Sequence, residues 1–230
     1  MDLVLTTGEM DSEFLEDFYG IKNTLVIRNI PALQKAEDKV DLRKMLNISP
    51  AKIILLYQGV ILDGRGISLI FDALKAFPET VLVFLGDGVM KEKYKREAVQ
   101  KGVIDRVYFA GMIKQTELIN YTASADIGMA LIENISVSYY HALPNKLFEY
   151  IMAELPILSC ELPQMKKIVE EYRVGEAVNI EKPGIIIRTL QNWLNDKSIL
   201  EEYKKNCKSA SLELNWQAEY ERTRDQLLNS

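Results

Sequence analysis

The segment HALPNKLFEYIMAELPIL, from His141 to Leu158, gathers the side chains best suited to holding a charged ligand. Pro144 fixes the φ that opens a helix and forfeits no hydrogen bond at its first turn. Phe148, Ile151 and Met152 follow at helical spacing, and Pro156-Ile157-Leu158 reads as the entry to a buried strand. Such a helix directs the unpaired backbone N–H groups of Asn145, Lys146 and Leu147 at whatever lies in front of it. With the positive end of the macrodipole and the Lys146 ammonium, they make a site for a phosphate. One turn further on, Glu149 offers a carboxylate to a vicinal diol such as a ribose. A diphosphate beside a ribose is the part common to nucleotide-sugars. His141 lies on the loop that delivers this helix, and reads equally as a ligand-facing ring or a structural one.

Glycine turns supply the other candidates. QGVILDGRG, from Gln58 to Gly66, is a strand end running into a helix. Gly59 lets backbone approach a ligand closely, and Arg65 reaches a diphosphate with a charge-assisted bond. The same residues also fit a tight turn carrying a surface arginine. Leu85-Gly86-Asp87-Gly88 ends a second strand, either as ordinary turn chemistry or as cleft lining. In Phe109-Ala110-Gly111-Met112-Ile113, Gly111 frees the backbone of Met112 and Ile113 to read a base edge, or simply ends a strand.

These loops need a scaffold that brings them to one edge. Short Val-, Ile- and Leu-rich runs at Leu3–Thr6, Thr24–Arg28, Lys52–Gln58, Val81–Leu85, Arg106–Phe109, Asp126–Leu131 and Pro156–Cys160 read as strands. Helices are expected around Ile67–Lys75, Val89–Lys101, Thr116–Ser124, Pro144–Ala153 and Gln164–Tyr172. The alternation predicts an α/β fold, a Rossmann-like doubly wound parallel sheet, whose ligands bind beyond the carboxyl ends of the strands. A long polar helix is expected from Ile199 to Leu228. Its apolar positions Leu200, Tyr203, Leu212, Trp216, Tyr220 and Leu227 are free to pack on something besides this domain.

Composition narrows the function class. The 230 residues carry 28 basic and 33 acidic side chains, a formal charge of -5, which argues against a general nucleic-acid binder. The lysines of KEKYKRE, from Lys91 to Glu97, are interleaved with acids and read as a solvated helix face. Cys160 and Cys207 stand alone, and the single His141 excludes a multi-histidine metal site. The acidic N-terminus does not resemble a signal peptide, and no run is long enough to span a bilayer. A reducing cytoplasm is the expected location, with the inner face of the membrane as a peripheral station.

QGVILDGRGI, VLVFLGDG, DRVYFAGMI, ELINYTASADIGMAL, PNKLFEYIMAELPIL and VGEAV, in this order, resemble the C-terminal, donor-binding half of the group 1 family of GT-B glycosyltransferases. The resemblance implies retention of anomeric configuration and no metal requirement. It places Arg65 where the family carries its phosphate-binding cation, and Glu149 on the ribose hydroxyls. His141 falls where a glutamate usually touches the donor sugar. Pro144-Asn145-Lys146 falls in the phosphate loop, and Gly111, Met112 and Ile113 in the loop receiving the base. Val60 replaces a second arginine. Glu154 replaces a glycine at the helix end, which implies a different exit.

By the same resemblance, residues 1–30 are the end of an acceptor domain with its linker. Residues 31–198 are the nucleotide-sugar-binding domain, and 199–230 a helical segment that packs on an N-terminal domain. The expected donor is a UDP- or GDP-linked sugar, with no cofactor. The acceptor is a lipid-linked or growing glycan of polysaccharide or glycoconjugate biosynthesis, and a separate N-terminal-domain chain is an expected partner. Two other readings stay open: a non-catalytic nucleotide-sugar-binding or assembly module, and a UDP-sugar epimerase-like enzyme.

Overall fold

A computed structural model describes residues 3–182 and 184–228. The chain begins with β1 (Val4–Thr6), α1 (Glu9–Tyr19) and β2 (Thr24–Val26), and β1 pairs with β2 in parallel. Next come α2 (Leu42–Met45), β3 (Ile53–Gln58), α3 (Ile67–Ala76), β4 (Thr80–Leu85), α4 (Lys91–Gln100), β5 (Val107–Gly111) and α5 (Gln115–Thr122). They are followed by β6 (Ile127–Ala130), α6 (Val137–Tyr140), α7 (Asn145–Met152), β7 (Ile157–Cys160), α8 (Pro163–Glu171) and β8 (Gly175–Val178). The last helices are α9 (Ile185–Asn195), α10 (Lys197–Ala210) and α11 (Trp216–Leu228).

Strands β3 to β8 form one parallel sheet in the order β5-β4-β3-β6-β7-β8. The chain winds outward from β3 to β5, then returns to place β6 on the other side of β3. A crevice therefore opens between β3 and β6 at their carboxyl ends, the switch point where doubly wound sheets take ligands. Alternate residues of each strand feed opposite layers. Ile54, Leu56, Val81 and Val83 pack with Leu147, Phe148 and Ile151 of α7, while Leu55, Tyr57, Leu82 and Phe84 pack with α3 and α9. Burial on both faces is the reason these strands read as continuous apolar runs.

The expected α/β class holds, and strand positions agree to within a few residues. β8 was not expected as a strand, and α2, α6 and α9 were not expected as helices. The long C-terminal helix is present in two arms, α10 and α11. Between them Asn215 donates to the Ser211 and Leu212 carbonyls and accepts from the Ala218 N–H, capping the second arm. Leu200 is buried and Tyr203 packs on Trp193, so both belong to the domain, whereas Leu212, Trp216 and Tyr220 stay exposed.

The α11 arm runs back along the N-terminal strand–helix–strand unit. The Trp216 N–H donates to the Pro31 carbonyl at 3.0 Å, and the Leu33 N–H to Gln217 at 2.9 Å. Glu219, 1 % exposed, accepts from the Arg28 N–H at 2.8 Å, from Arg28 Nη2 at 2.7 Å and from Arg222 at 2.7 Å. Burial pushes this carboxyl up, but the bonds from Arg28 and Arg222 outweigh it and hold it below its ordinary value. The sign follows: its stabilisation is complete above the ordinary carboxylate range and is lost as pH falls through the depressed folded value. Glu219→Ala leaves Arg28 half-buried and unpaired, at a cost of about 3 kcal/mol. Amide exchange at Arg28 to Leu33 is expected to accelerate at neutral pH, and the wild type to approach the variant in acid.

Candidate functional site

At the carboxyl end of β3, Gln58 leads into Gly59, whose φ of 113° turns the chain sharply across the sheet edge. The turn is locked to the next strand, since Gly59 N–H donates to Leu85 O at 2.9 Å and Gly86 N–H to Gly111 O at 2.8 Å. A Cβ on Gly86 would lie 2.0 Å from the Gly59 carbonyl oxygen, so only glycine permits this close approach. Beyond the turn Arg65 rests its guanidinium 4.8 Å from the Tyr139 ring centroid. These loops and the start of α7 enclose a cavity of about 370 Å³, lined by Gly59, Arg65, Gly86, Met112, Ile113, Pro144, Asn145, Lys146 and Glu149.

Helix α7 opens as its sequence requires, with Pro144 extended at the N-cap (φ -77°, ψ 143°). The N–H groups of Asn145 and Lys146 have no hydrogen-bond partner among the described residues and face the cavity mouth. Leu147 corrects the expectation. Its N–H donates to the Pro144 carbonyl at 3.0 Å, tightening the first turn, and its side chain is fully buried in the core. Lys146 Nζ lies 4.1 Å from the Tyr57 ring centroid. Burial, with Arg65 nearby, pushes its ammonium down to about 7.

Glu149 is held by partners that its own segment does not reveal. Gln58 Nε2 donates to one carboxylate oxygen and Gln115 Nε2 to the other, the latter at 2.7 Å. Gln58 is fixed in turn by Thr122, whose hydroxyl donates to its Oε1 at 2.6 Å. One signal for Gln58 was available: a glutamine ending an otherwise apolar strand needs a buried partner. Each carboxylate oxygen keeps a further lone pair, enough to accept from a diol.

Of the other candidates, Met112 is 71 % exposed at the rim and Ile113 sits beside it. Gly111, at φ 80°, shapes this loop without lining the cavity. Val60 lines it and is exposed, so no second arginine stands there. His141 is set apart from the cleft. Its Nδ1 lies 3.1 Å from Asp11 Oδ1, and its ring meets Phe14 edge-on at 6.3 Å, both on α1. Asp11 and Phe14 thus hold the ring against α1. Glu154 takes φ 56°, the left-handed conformation a glycine favours, so the exit of α7 is kept despite the missing glycine.

Larger cavities lie elsewhere, among them two lined by more than one element of the sheet domain or its N-terminal unit. One of about 590 Å³ sits beyond β6 to β8 with Glu133, Glu161 and Glu181 on its walls. The other, about 470 Å³, separates the N-terminal unit from α8 and α11. Among the described residues that line them, no unpaired cation stands at a helix start. Among the described residues no group of three or more His, Cys, Asp or Glu side chains is placed to hold a metal ion. No helix among them is long and apolar enough to cross a membrane.

Sheet order, cleft and helix start together are those of a Rossmann-like doubly wound domain. The model of the family described as Glycosyl transferases group 1 matches residues 38–210, and the chain belongs to that family. An uncharacterized glycosyltransferase of Methanocaldococcus jannaschii is 22 % identical over 222 residues, covering 88 % of this chain and 53 % of the relative. The Vi polysaccharide biosynthesis protein VipC/TviE of Salmonella typhi is 33 % identical over 89 residues, 37 % of this chain and 14 % of that protein. The chain thus spans about half the length of the first relative, and less of the second. Among solved structures, Anabaena Alr3699/HepE in complex with UDP-glucose superposes with a TM-score of 0.84 at 15 % identity, covering 100 % of this chain and 64 % of that one.

Proposed function

We propose that this chain is the donor-binding half of a retaining glycosyltransferase acting on a UDP- or GDP-linked hexose. One observation carries the reading. Arg65, Lys146 and the free N–H groups of Asn145 and Lys146 converge on one cleft, while Glu149 waits a turn away between Gln58 and Gln115. The cations and helix start suit a diphosphate, and the held carboxylate suits ribose hydroxyls. The relatives add to this: HepE forms a complex with UDP-glucose, and VipC/TviE is a Vi polysaccharide biosynthesis protein.

Breaking the sugar–phosphate bond puts negative charge on the departing nucleoside diphosphate. Fixed donors offset that charge best where it develops. In this reading Arg65, Lys146 and the α7 start supply the offset, and no divalent ion is required of the reaction. The acceptor hydroxyl attacks from the face the diphosphate leaves. Its binding wall and its deprotonation belong to a further domain opposite the cleft, and the acceptor is a lipid-linked or growing glycan. The exposed Trp216 and Tyr220 on α11 are suited to such a domain.

A second reading, donor binding without transfer, is favoured by His141, which turns to Asp11 and leaves the sugar side without its side chain. The epimerase-like reading has less support, since Glu149 is the one carboxylate among the described lining residues and that chemistry needs paired acid and base. Calorimetry with UDP, GDP and their hexose conjugates tests the donor site. Glu149→Ala is expected to weaken UDP by about 1–3 kcal/mol, roughly 5- to 150-fold, with EDTA making no difference. If neither nucleotide binds the wild type at millimolar concentration, the donor reading is wrong. Transfer assays with and without the opposing domain separate the transferring from the merely binding form.

A further inference from the structure

Lys146 is the anomaly of the cleft. Its side chain is 9 % exposed, yet among the described residues its ammonium makes no hydrogen bond and no ion pair. A buried charge is ordinarily paired. The groups facing it are Tyr57 from β3, Arg65 from the β3–α3 loop, Cys160 from β7 and Glu149 from its own helix. Tyr57 gives only a ring face, and its hydroxyl is already committed to the Val60 carbonyl at 2.7 Å. Cys160 is a buried thiol whose sulfur accepts from the Ile132 N–H at 3.4 Å, and burial pushes it up, so it stays neutral. The Glu149 oxygens are both engaged by glutamine amides. Arg65 adds a second positive charge instead of compensating the first.

Resting on the donor-site reading above, we propose that Lys146 is a proton-linked phosphate ligand. It rests unpaired against Tyr57 in the empty cleft, and takes up a proton from solvent when a nucleoside diphosphate arrives to pair with it. The aromatic face holds the amine in place in either protonation state, and the favourable contact with the ring grows once it is charged. The incoming diphosphate supplies the counter-charge that the protein withholds. Burial, chiefly, sets the free-cleft value at about 7, and a bound diphosphate restores it toward the ordinary lysine range. Occupancy by a diphosphate and occupancy by a proton are therefore coupled.

The sign is fixed by linkage. A group whose protonation is favoured in the complex gives binding that weakens as pH rises through the free-site value. UDP affinity is expected to fall by up to about tenfold per pH unit above about 7. The test is calorimetric titration of the chain with UDP in pairs of buffers that share a pH but differ in ionisation heat. At about pH 8, where the terminal phosphate of UDP has already ionised, close to one proton should be taken up per UDP bound. At about pH 6 uptake from Lys146 should have vanished. Lys146→Arg, charged at every pH, should bind UDP with no proton uptake at the higher pH. Lys146→Met should bind weakly, with the steep pH dependence gone. Equal heats in both buffers at the higher pH, with UDP bound, would overturn the proton link and leave the donor site standing, as would uptake that persists in Lys146→Arg. Absence of any UDP binding removes the site and the link together.

Discussion

Replacing Lys146 by methionine is expected to stabilise the unliganded chain by about 2 kcal/mol near neutral pH while weakening UDP binding about tenfold or more. The two effects have one cause. In the empty cleft the ammonium is desolvated, unpaired and repelled by Arg65, so its burial works against folding. Methionine matches the lysine stem in volume and flexibility and carries no charge to desolvate. The pH dependence separates this from simple repacking. The folded value near 7 lies below the ordinary 10.5, so the unfolded chain holds a proton that the folded chain releases between them. Wild-type stability should rise with pH across that window, and the advantage of Lys146→Met should shrink with it. Urea unfolding at several pH values reads both. Equal midpoints for the two proteins throughout would mean that the lysine carries no such penalty. A site that holds a destabilising cation in readiness for its ligand is an instance of stability yielding to function.

Gly86→Ala is expected to cost about 3 kcal/mol and to abolish measurable UDP binding. The added Cβ would meet the Gly59 carbonyl oxygen at 2.0 Å, a backbone atom that cannot rotate aside. Relief requires the β3–α3 loop to move away from β4, carrying Arg65 out of the cleft. Gly111→Ala is the control. Its φ of 80° makes alanine strained, but no atom lies within 4 Å of the new Cβ, so only about 1 kcal/mol is expected. Similar losses in the two variants would show that conformation, not close approach, decides the role of Gly86.

The parallel sheet was legible because strands covered on both faces are written as unbroken Ile, Leu and Val, as in Ile53–Leu56. β8 escaped notice for the opposite reason. It is a short edge strand, Gly-Glu-Ala-Val, with only Val178 buried. Helix α9 begins Ile-Ile-Ile, a β-branched run that disguises a helical period completed only at Leu190 and Trp193. The break at Ser211 to Asn215 is set by Asn215 side-chain bonds, which leave no periodic trace.

The candidate site was legible where one segment carried it. Pro144, Asn145, Lys146 and Glu149 lie on α7 and reach the cleft together. What the sequence concealed is long-range. Gln58 and Gln115 reach Glu149 from separate elements, and α1 claims His141 through a contact across 130 residues. The Leu147 N–H is lost to the cleft because the first turn of α7 tightens, a detail of geometry and not of residue type.

A crystal structure of the chain with UDP bears most directly on whether the start of α7 receives a diphosphate. The expected result is a terminal phosphate accepting from the Asn145 and Lys146 N–H groups, Arg65 and Lys146 Nζ within charge-assisted hydrogen-bond distance, and ribose hydroxyls on Glu149. UDP seated in the cavity beyond β6 to β8, or its phosphates turned away from α7, would contradict it.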